Sequence, residues 1–316
     1  MLSTRWSLEA GLRLPIVNAP MGGVAGGRLA AAVSAAGGLG MIGMGSTSSA
    51  ASLRAELAQL GAVPRFGIGL VDWVIRGQPE LFETALAARP TMLSVSFGTD
   101  LSWIDRAQSA GIVTATQVYD RVGAQRAQDA GVEVLVARGA EGGGHGEVKL
   151  ATLPLLDEVL DVAAVPVLAA GGISSARSLA AVLAAGADGA WLGTCLSACP
   201  EALTGDGARR TLIAAAATDT VATRVFDIAS GFPWPARFPS RVLSNNFLAA
   251  WAGREADPAV DPAAGSELAA GIAADDQRVA PVDGGQGVGM LTGSEPVGVV
   301  IDRLCTGAER LLARWG

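Results

Sequence analysis

The sequence predicts a closed (β/α)8 TIM barrel with a smaller, mostly helical insertion after its eighth strand. From Leu14 to Gly193, short apolar or β-branched runs alternate with Ala-rich helical stretches, the pattern of repeated βα units around a parallel sheet. The pair Ala-Gly recurs where helical runs give way to strands, at Ala36-Gly37, Ala110-Gly111, Ala130-Gly131 and Ala185-Gly186. A glycine there supplies the left-handed residue that closes a helix. A doubly wound open sheet would place G-x-G-x-x-G after its first strand, whereas Gly22-Gly23-Val24-Ala25-Gly26 lacks that spacing and follows Pro20.

Eight runs read as strands: Leu14–Ala19, Leu39–Ile42, Arg65–Leu70, Thr91–Ser96, Ile112–Thr116, Val132–Ala137, Val165–Ala169 and Asp188–Leu192. Helical segments lie between them at Gly27–Ala36, Ser48–Leu60, Pro79–Ala88, Leu101–Ala110, Arg121–Ala130, Leu153–Val162 and Ser174–Ala185. After Thr194 the pattern changes, with Gly231-Phe232-Pro233-Trp234-Pro235 and Asp257-Pro258 breaking the chain. Residues 196–295 therefore read as an insertion over one end of the barrel, and 1–195 with 296–316 as the barrel itself. In the last segment Val299, Val300, Leu304, Leu311 and Leu312 form an apolar stripe suited to the eighth barrel helix.

Of the 316 residues, half are hydrophobic, 17% are charged, and the net charge is −7, which supplies no electrostatic footprint for nucleic acid or an anionic membrane surface. The N-terminus has no signal-peptide pattern and no long apolar run free of glycine and charge, so a soluble, cytoplasmic protein is expected. Three cysteines (Cys195, Cys199, Cys305) and one histidine argue against a disulfide framework and against a structural zinc site.

His145 ends the glycine run Arg138-Gly139-Ala140-Glu141-Gly142-Gly143-Gly144-His145-Gly146, directly after the sixth strand, where a barrel builds its active site. Strand seven runs into Ala169-Ala170-Gly171-Gly172-Ile173-Ser174 and strand eight into Gly193-Thr194. Exposed backbone N–H groups, a helix N-terminus and the Thr194 hydroxyl form an anion cradle, and without a P-loop lysine it suits a single phosphate monoester such as that of FMN. Gln117 is placed for a cofactor contact and Tyr119 for packing or for capping the next helix. Ser94 and Ser96 share a strand face, at the barrel mouth or in the core. Glu141 reads as structural support, and Cys195 with Cys199 as a weak candidate for a redox pair.

Asn18-Ala19-Pro20-Met21, Glu141-x-Gly143-Gly144-His145, Ala170-Gly171-Gly172-Ile173 and Leu192-Gly193-Thr194, in that order, make the chain resemble the FMN-dependent nitronate monooxygenases, formerly 2-nitropropane dioxygenases. Asp219-Thr220, Arg241-Val242-Leu243-Ser244-Asn245 and Gly285-Gln286-Gly287-Val288-Gly289 extend the resemblance over nearly the whole chain. It implies non-covalent FMN with its phosphate on Gly171, Gly172, Gly193 and Thr194, flanked by Leu192. Ala19, Pro20 and Met21 would border the ring, with Arg138 and Gly143 contacting it and His145 facing the substrate. The implied reaction oxidises a nitronate or nitroalkane with O2 to a carbonyl product and nitrite. Two positions depart from the family: Arg138 stands where glutamine is common, and Gly69 where a flavin-contacting asparagine is common. The alternatives are an FMN-dependent enoyl-acyl carrier protein reductase using NAD(P)H, and a phosphate-ligand barrel without redox chemistry. Aromatic residues of the insertion, Phe232, Trp234, Phe238 and Trp251, are expected to cover the site, and an apolar patch there would suit a homodimer.

Overall fold

A computed structural model describes residues 2–251, 253–255 and 261–314; Asp257-Pro258 lies outside them. The predicted strands form as β1 (Ile16–Asn18), β2 (Gly40–Gly43), β3 (Phe66–Val71), β4 (Met92–Ser96), β5 (Val113–Val118), β6 (Val134–Arg138), β8 (Val167–Ala170) and β9 (Gly189–Leu192). They pair in parallel in the order β1-β9-β8-β6-β5-β4-β3-β2. A bridge between Val17 and Leu39 joins the two ends into a barrel. Beyond that bridge the Asn18 carboxamide stands in for backbone: its Oδ1 accepts from Met41 N–H at 2.6 Å and its Nδ2 donates to Met41 C=O at 2.8 Å. The buried Asn18 thus continues the ladder where the chain turns away at Ala19-Pro20.

Two apolar layers hold the barrel. Inside lie Val17, Met41, Met92, Val136, Leu168 and Trp191, plugged by Trp6 from a short N-terminal helix, Arg5–Glu9, that sequence periodicity did not indicate. Between strands and helices lies the larger layer, including Ile16, Ile42, Ile68, Leu93, Leu135 and Leu192. Gly37, Gly111, Gly131 and Gly186 all adopt positive φ, from 74° to 108°, at the predicted helix ends. Val297–Leu312 packs between Gly27–Ala36 and Ala176–Ala184 as the eighth helix of the ring.

The segment after β9 folds around its own core of Val225, Phe226, Val242, Phe247, Leu248 and Trp251. It carries β10 (Thr220–Thr223) and β11 (Ser240–Leu243), antiparallel to each other. On its other edge β11 pairs with β7 (Gly144–His145), a two-residue strand within the glycine run. That run reads as loop in the sequence because two residues show no periodicity. Its pairing fixes His145 to the segment that follows β9.

Candidate active site

A cavity of about 230 Å³ opens at the C-terminal ends of the barrel strands, where parallel barrels concentrate their chemistry. Ala19, Pro20, Met21, Gln117, Arg138, Gly143, His145, Gly171, Gly172, Gly193 and Thr194 line it. Gly69 and Leu192 do not. Alternation along β9 turns Leu192 outward into the layer beneath the helices. At Gly69 a Cβ would overlap the Pro20 ring, so the space a side chain would need belongs to the β1 loop.

At the phosphate-sized end, Gly171 and Gly172 both hold positive φ, 106° and 68°, a conformation costly for other residues. They turn the chain toward the helix Ala176–Ala184, which opens with a capping box between Ser175 and Ser178. Thr194 Oγ1 accepts from Gly285 N–H at 2.9 Å, tying this end to the segment Gln286–Met290, whose Gly287 also lines the cavity.

Arg138 is buried, and its Nη2 reaches the carbonyls of Gly142, Gly143 and Gly144 at 2.8, 3.1 and 3.0 Å. One cation therefore gathers the turn that delivers His145. Burial lowers its pKa, but a guanidinium starts far enough above neutrality to stay charged. Glu141 accepts from Thr152 N–H at 2.9 Å and supports the turn from outside, as expected. Tyr119 donates to Gln117 Oε1 at 3.0 Å, while Asp120, not Tyr119, caps the following helix. Ser94 and Ser96 are buried in the strand layer, off the cavity wall; Ser96 Oγ accepts from Gln117 N–H. Cys195, Cys199 and Cys305 are free and buried, and burial pushes each thiol up to about 12, which removes the redox pair from consideration.

His145 is the centre of the opposite wall. Its Nε2 lies 3.0 and 3.1 Å from the two Asp227 carboxylate oxygens, and its ring stacks on Trp234 with centroids 3.5 Å apart and planes 6° from parallel. Trp234 is held in turn by a hydrogen bond to Ser46 Oγ at 2.9 Å and by an edge contact from Phe97 at 5.1 Å. Phe97 itself has φ 70°, an uncommon conformation for a bulky residue and one that costs on the order of 1 kcal/mol. The imidazole is therefore fixed in plane by the indole and in rotation by the carboxylate. Asp283 opens onto the same cavity, with its Oδ1 accepting from Ser240 Oγ at 2.7 Å. Asp283 is open to the space of the cavity, yet the surrounding wall desolvates its carboxyl enough to hold it above the usual carboxylate range, against the opposing pull of His145.

A family model described as nitronate monooxygenase matches residues 5–72 and 73–307. The chain belongs to the nitronate monooxygenase family. A nitronate monooxygenase of Paraburkholderia phytofirmans is 30% identical over 302 residues, 80% of each chain. A carboxyl-CoA dehydrogenase of Rhodococcus jostii, named for a hydroxy-methyl-oxo-octahydroindene substrate, is also 30% identical, over 78% of this chain and 67% of its own. Among solved structures, FabK from Thermotoga maritima superposes with a TM-score of 0.87 at 25% identity, covering 99% of this chain and 98% of its own. A nitroalkane oxidase from Streptomyces ansochromogenes does so with 0.82 at 28%, covering 98% and 100%. Family membership makes the chain a flavin-dependent oxidoreductase. Among the described residues no helix is long and apolar enough to cross a membrane.

The sequence reading missed Asp227 and did not single out Asp283. Asp227 lies 82 residues from His145, and no local pattern marks it. Asp283 had a signal, since it lies two residues before the Gly285-Gln286-Gly287 element.

Proposed function

We propose that this protein binds FMN in the barrel-mouth cavity and oxidises a nitronate with O2 to a carbonyl compound and nitrite. The observation that carries the reading is one cavity with a glycine cradle on the β8 and β9 loops at one end and the clamped His145 at the other. The cradle fits a phosphate monoester: at Gly193 a Cβ would meet nothing nearer than Met21 Sδ at 3.6 Å, and Ser174 with Thr194 adds hydroxyl donors. Gly171, Gly172, Gly193 and Thr194 would hold the phosphate, and Ala19, Pro20, Met21, Gln117, Arg138 and Gly143 would border the ring.

FMN, when bound, supplies the electron acceptor for the substrate and the centre at which O2 is reduced. The chain's own groups position the substrate. With Nε2 engaged by Asp227, the ring nitrogen left to meet a substrate nitro group is Nδ1. Trp234, Phe97 and the Asp227 clamp keep that ring at one angle and exclude bulk water.

The test is anaerobic mixing of the FMN-loaded protein with propionate 3-nitronate and, separately, with NADH or NADPH, following flavin absorbance. Bleaching by the nitronate alone is expected. Rapid bleaching by the nicotinamide alone would instead favour the enoyl reductase reading, which the FabK superposition supports. Protein left colourless after incubation with FMN would favour a phosphate-ligand barrel.

A further inference from the structure

Alternation along β6 sends Val134 and Val136 into the barrel interior, and Arg138, the next residue of that face, lies above them on the cavity wall. Its register partner on β8, Ala170, belongs to the same interior cluster. The arginine is only 6% exposed. Its Nη2 alone is hydrogen-bonded, and the three acceptors are neutral carbonyls; Nε and Nη1 have no acceptor among the described residues. Carbonyl dipoles satisfy donors but leave the net charge in place. The charged and titratable groups that face it are Glu141 on its own loop, Asp283 ahead of the segment Gln286–Met290, Arg241 on β11 and Tyr119 just beyond β5, with His145 and Asp227 on the opposite wall. Neither Glu141 nor Asp283 forms an ion pair with it: Glu141 is bound to Thr152 and Asp283 to Ser240. Arg241 adds a second positive charge, tied to Ala140 C=O. A buried cation without a counter-ion is unfavourable by itself, so an anion in the cavity would complete the charge balance of this wall.

We propose that Arg138 is the counter-charge of the reduced flavin, holding the ring that has gained two electrons as its anion and making bound FMN a stronger oxidant than the same site would without it. This rests on the reading of the cavity as an FMN site and is independent of which substrate delivers the electrons. A neutral oxidised ring that takes two electrons and one proton, at N5, carries one negative charge; a second proton, at N1, would cancel it. The electrons come from the substrate in the proposed reaction and from dithionite in the test. Beside a buried cation the second proton is disfavoured, because it would restore the unpaired charge. The guanidinium therefore favours the reduced ring over the neutral oxidised one, and the potential rises. The phosphate, held alike in both states by the glycine cradle, adds no such difference.

The test measures the two-electron midpoint potential of the FMN-loaded protein by anaerobic dithionite titration against a reference dye, at several pH values around neutrality. Uptake of one proton per two electrons gives an expected slope of about 30 mV per pH unit in the parent protein; two protons would give about 60 mV. Arg138→Gln, which keeps a donor for the loop carbonyls, should lower the ratio of reduced to oxidised FMN affinity about a hundredfold, the scale of one partly buried ion pair, which is about 60 mV in potential. Its slope should steepen toward the two-proton value. Arg138→Lys, which keeps the charge but loses the fork that gathers three carbonyls, should stay within about threefold of the parent in that ratio while turnover falls as the His145 loop loosens. A two-proton slope in the parent protein, parent-like potential and slope in Arg138→Gln, or Arg138→Lys as low in potential as Arg138→Gln would overturn the proposal. The parent slope decides it even where neither variant folds. A parent protein that binds no FMN would instead overturn the underlying function.

Discussion

Asp227 touches neither the glycine cradle nor the cavity wall, so its replacement isolates the clamp on His145. The carboxylate faces Nε2 with both oxygens at 3.0 and 3.1 Å, and its side chain is only 11% exposed against 17% for His145, so solvent screens the contact little. A hydrogen bond to a charged group contributes roughly 1.5–3 kcal/mol. At about 1.4 kcal/mol per decade, that is roughly 10- to 150-fold in transition-state binding. The Trp234 stack still sets the ring plane, so Asp227→Ala should lose about 10- to 30-fold in kcat/KM for a nitronate, the lower part of that range. Asp227→Asn, whose amide oxygen still accepts from Nε2–H without the charge, should lose less. The assay is initial-rate nitronate oxidation at matched flavin occupancy, with occupancy read from absorbance. Asp227→Ala within about threefold of the parent would refute the clamp, because the contact would then contribute well under 1.5 kcal/mol.

Three further outcomes follow from the same geometry. Gly69→Ala should drive a methyl into the Pro20 ring and cost about 1–3 kcal/mol, seen as a lower Tm and weaker flavin retention; an unchanged Tm would mean that the β1 loop yields freely. Asp283 binds its proton more tightly folded than unfolded, so its contribution to stability is full below the ordinary carboxylate pKa and is lost as pH rises through the raised folded value. The Tm advantage of Asp283→Asn over the parent should therefore grow as pH rises above about pH 4, and a pH-independent difference would contradict the direction of that shift. Native protein should resist a thiol reagent at neutral pH and react at all three cysteines once unfolded; rapid native labelling would show that the thiols are less enclosed than described.

The eight strands and their helices were legible because each depends on a local period, and most strand boundaries moved by only one or two residues. The anion cradle was legible for a similar reason, since glycine at a strand end is a one-residue signal. Gly69 shows the limit. As a departure from a family pattern it pointed to the cofactor, whereas the fold assigns its space to Pro20, a residue 49 positions earlier. Arg138 also changed meaning. Its charge suggested a ligand contact, and the structure spends much of its donor capacity on three carbonyls of its own loop.

Sequence by itself determined the barrel, the end of the barrel that carries the cavity, and His145 as the group to watch. Those properties are written in periodicity and in residues whose backbone preferences act over a few positions. Only the tertiary structure decided what surrounds the histidine. β11 lands on a two-residue strand at Gly144–His145, and that pairing brings Asp227, Trp234 and Asp283 around a ring 82 or more residues away in the chain. Contacts at that separation arise from packing one folded segment on another, and no local pattern encodes them.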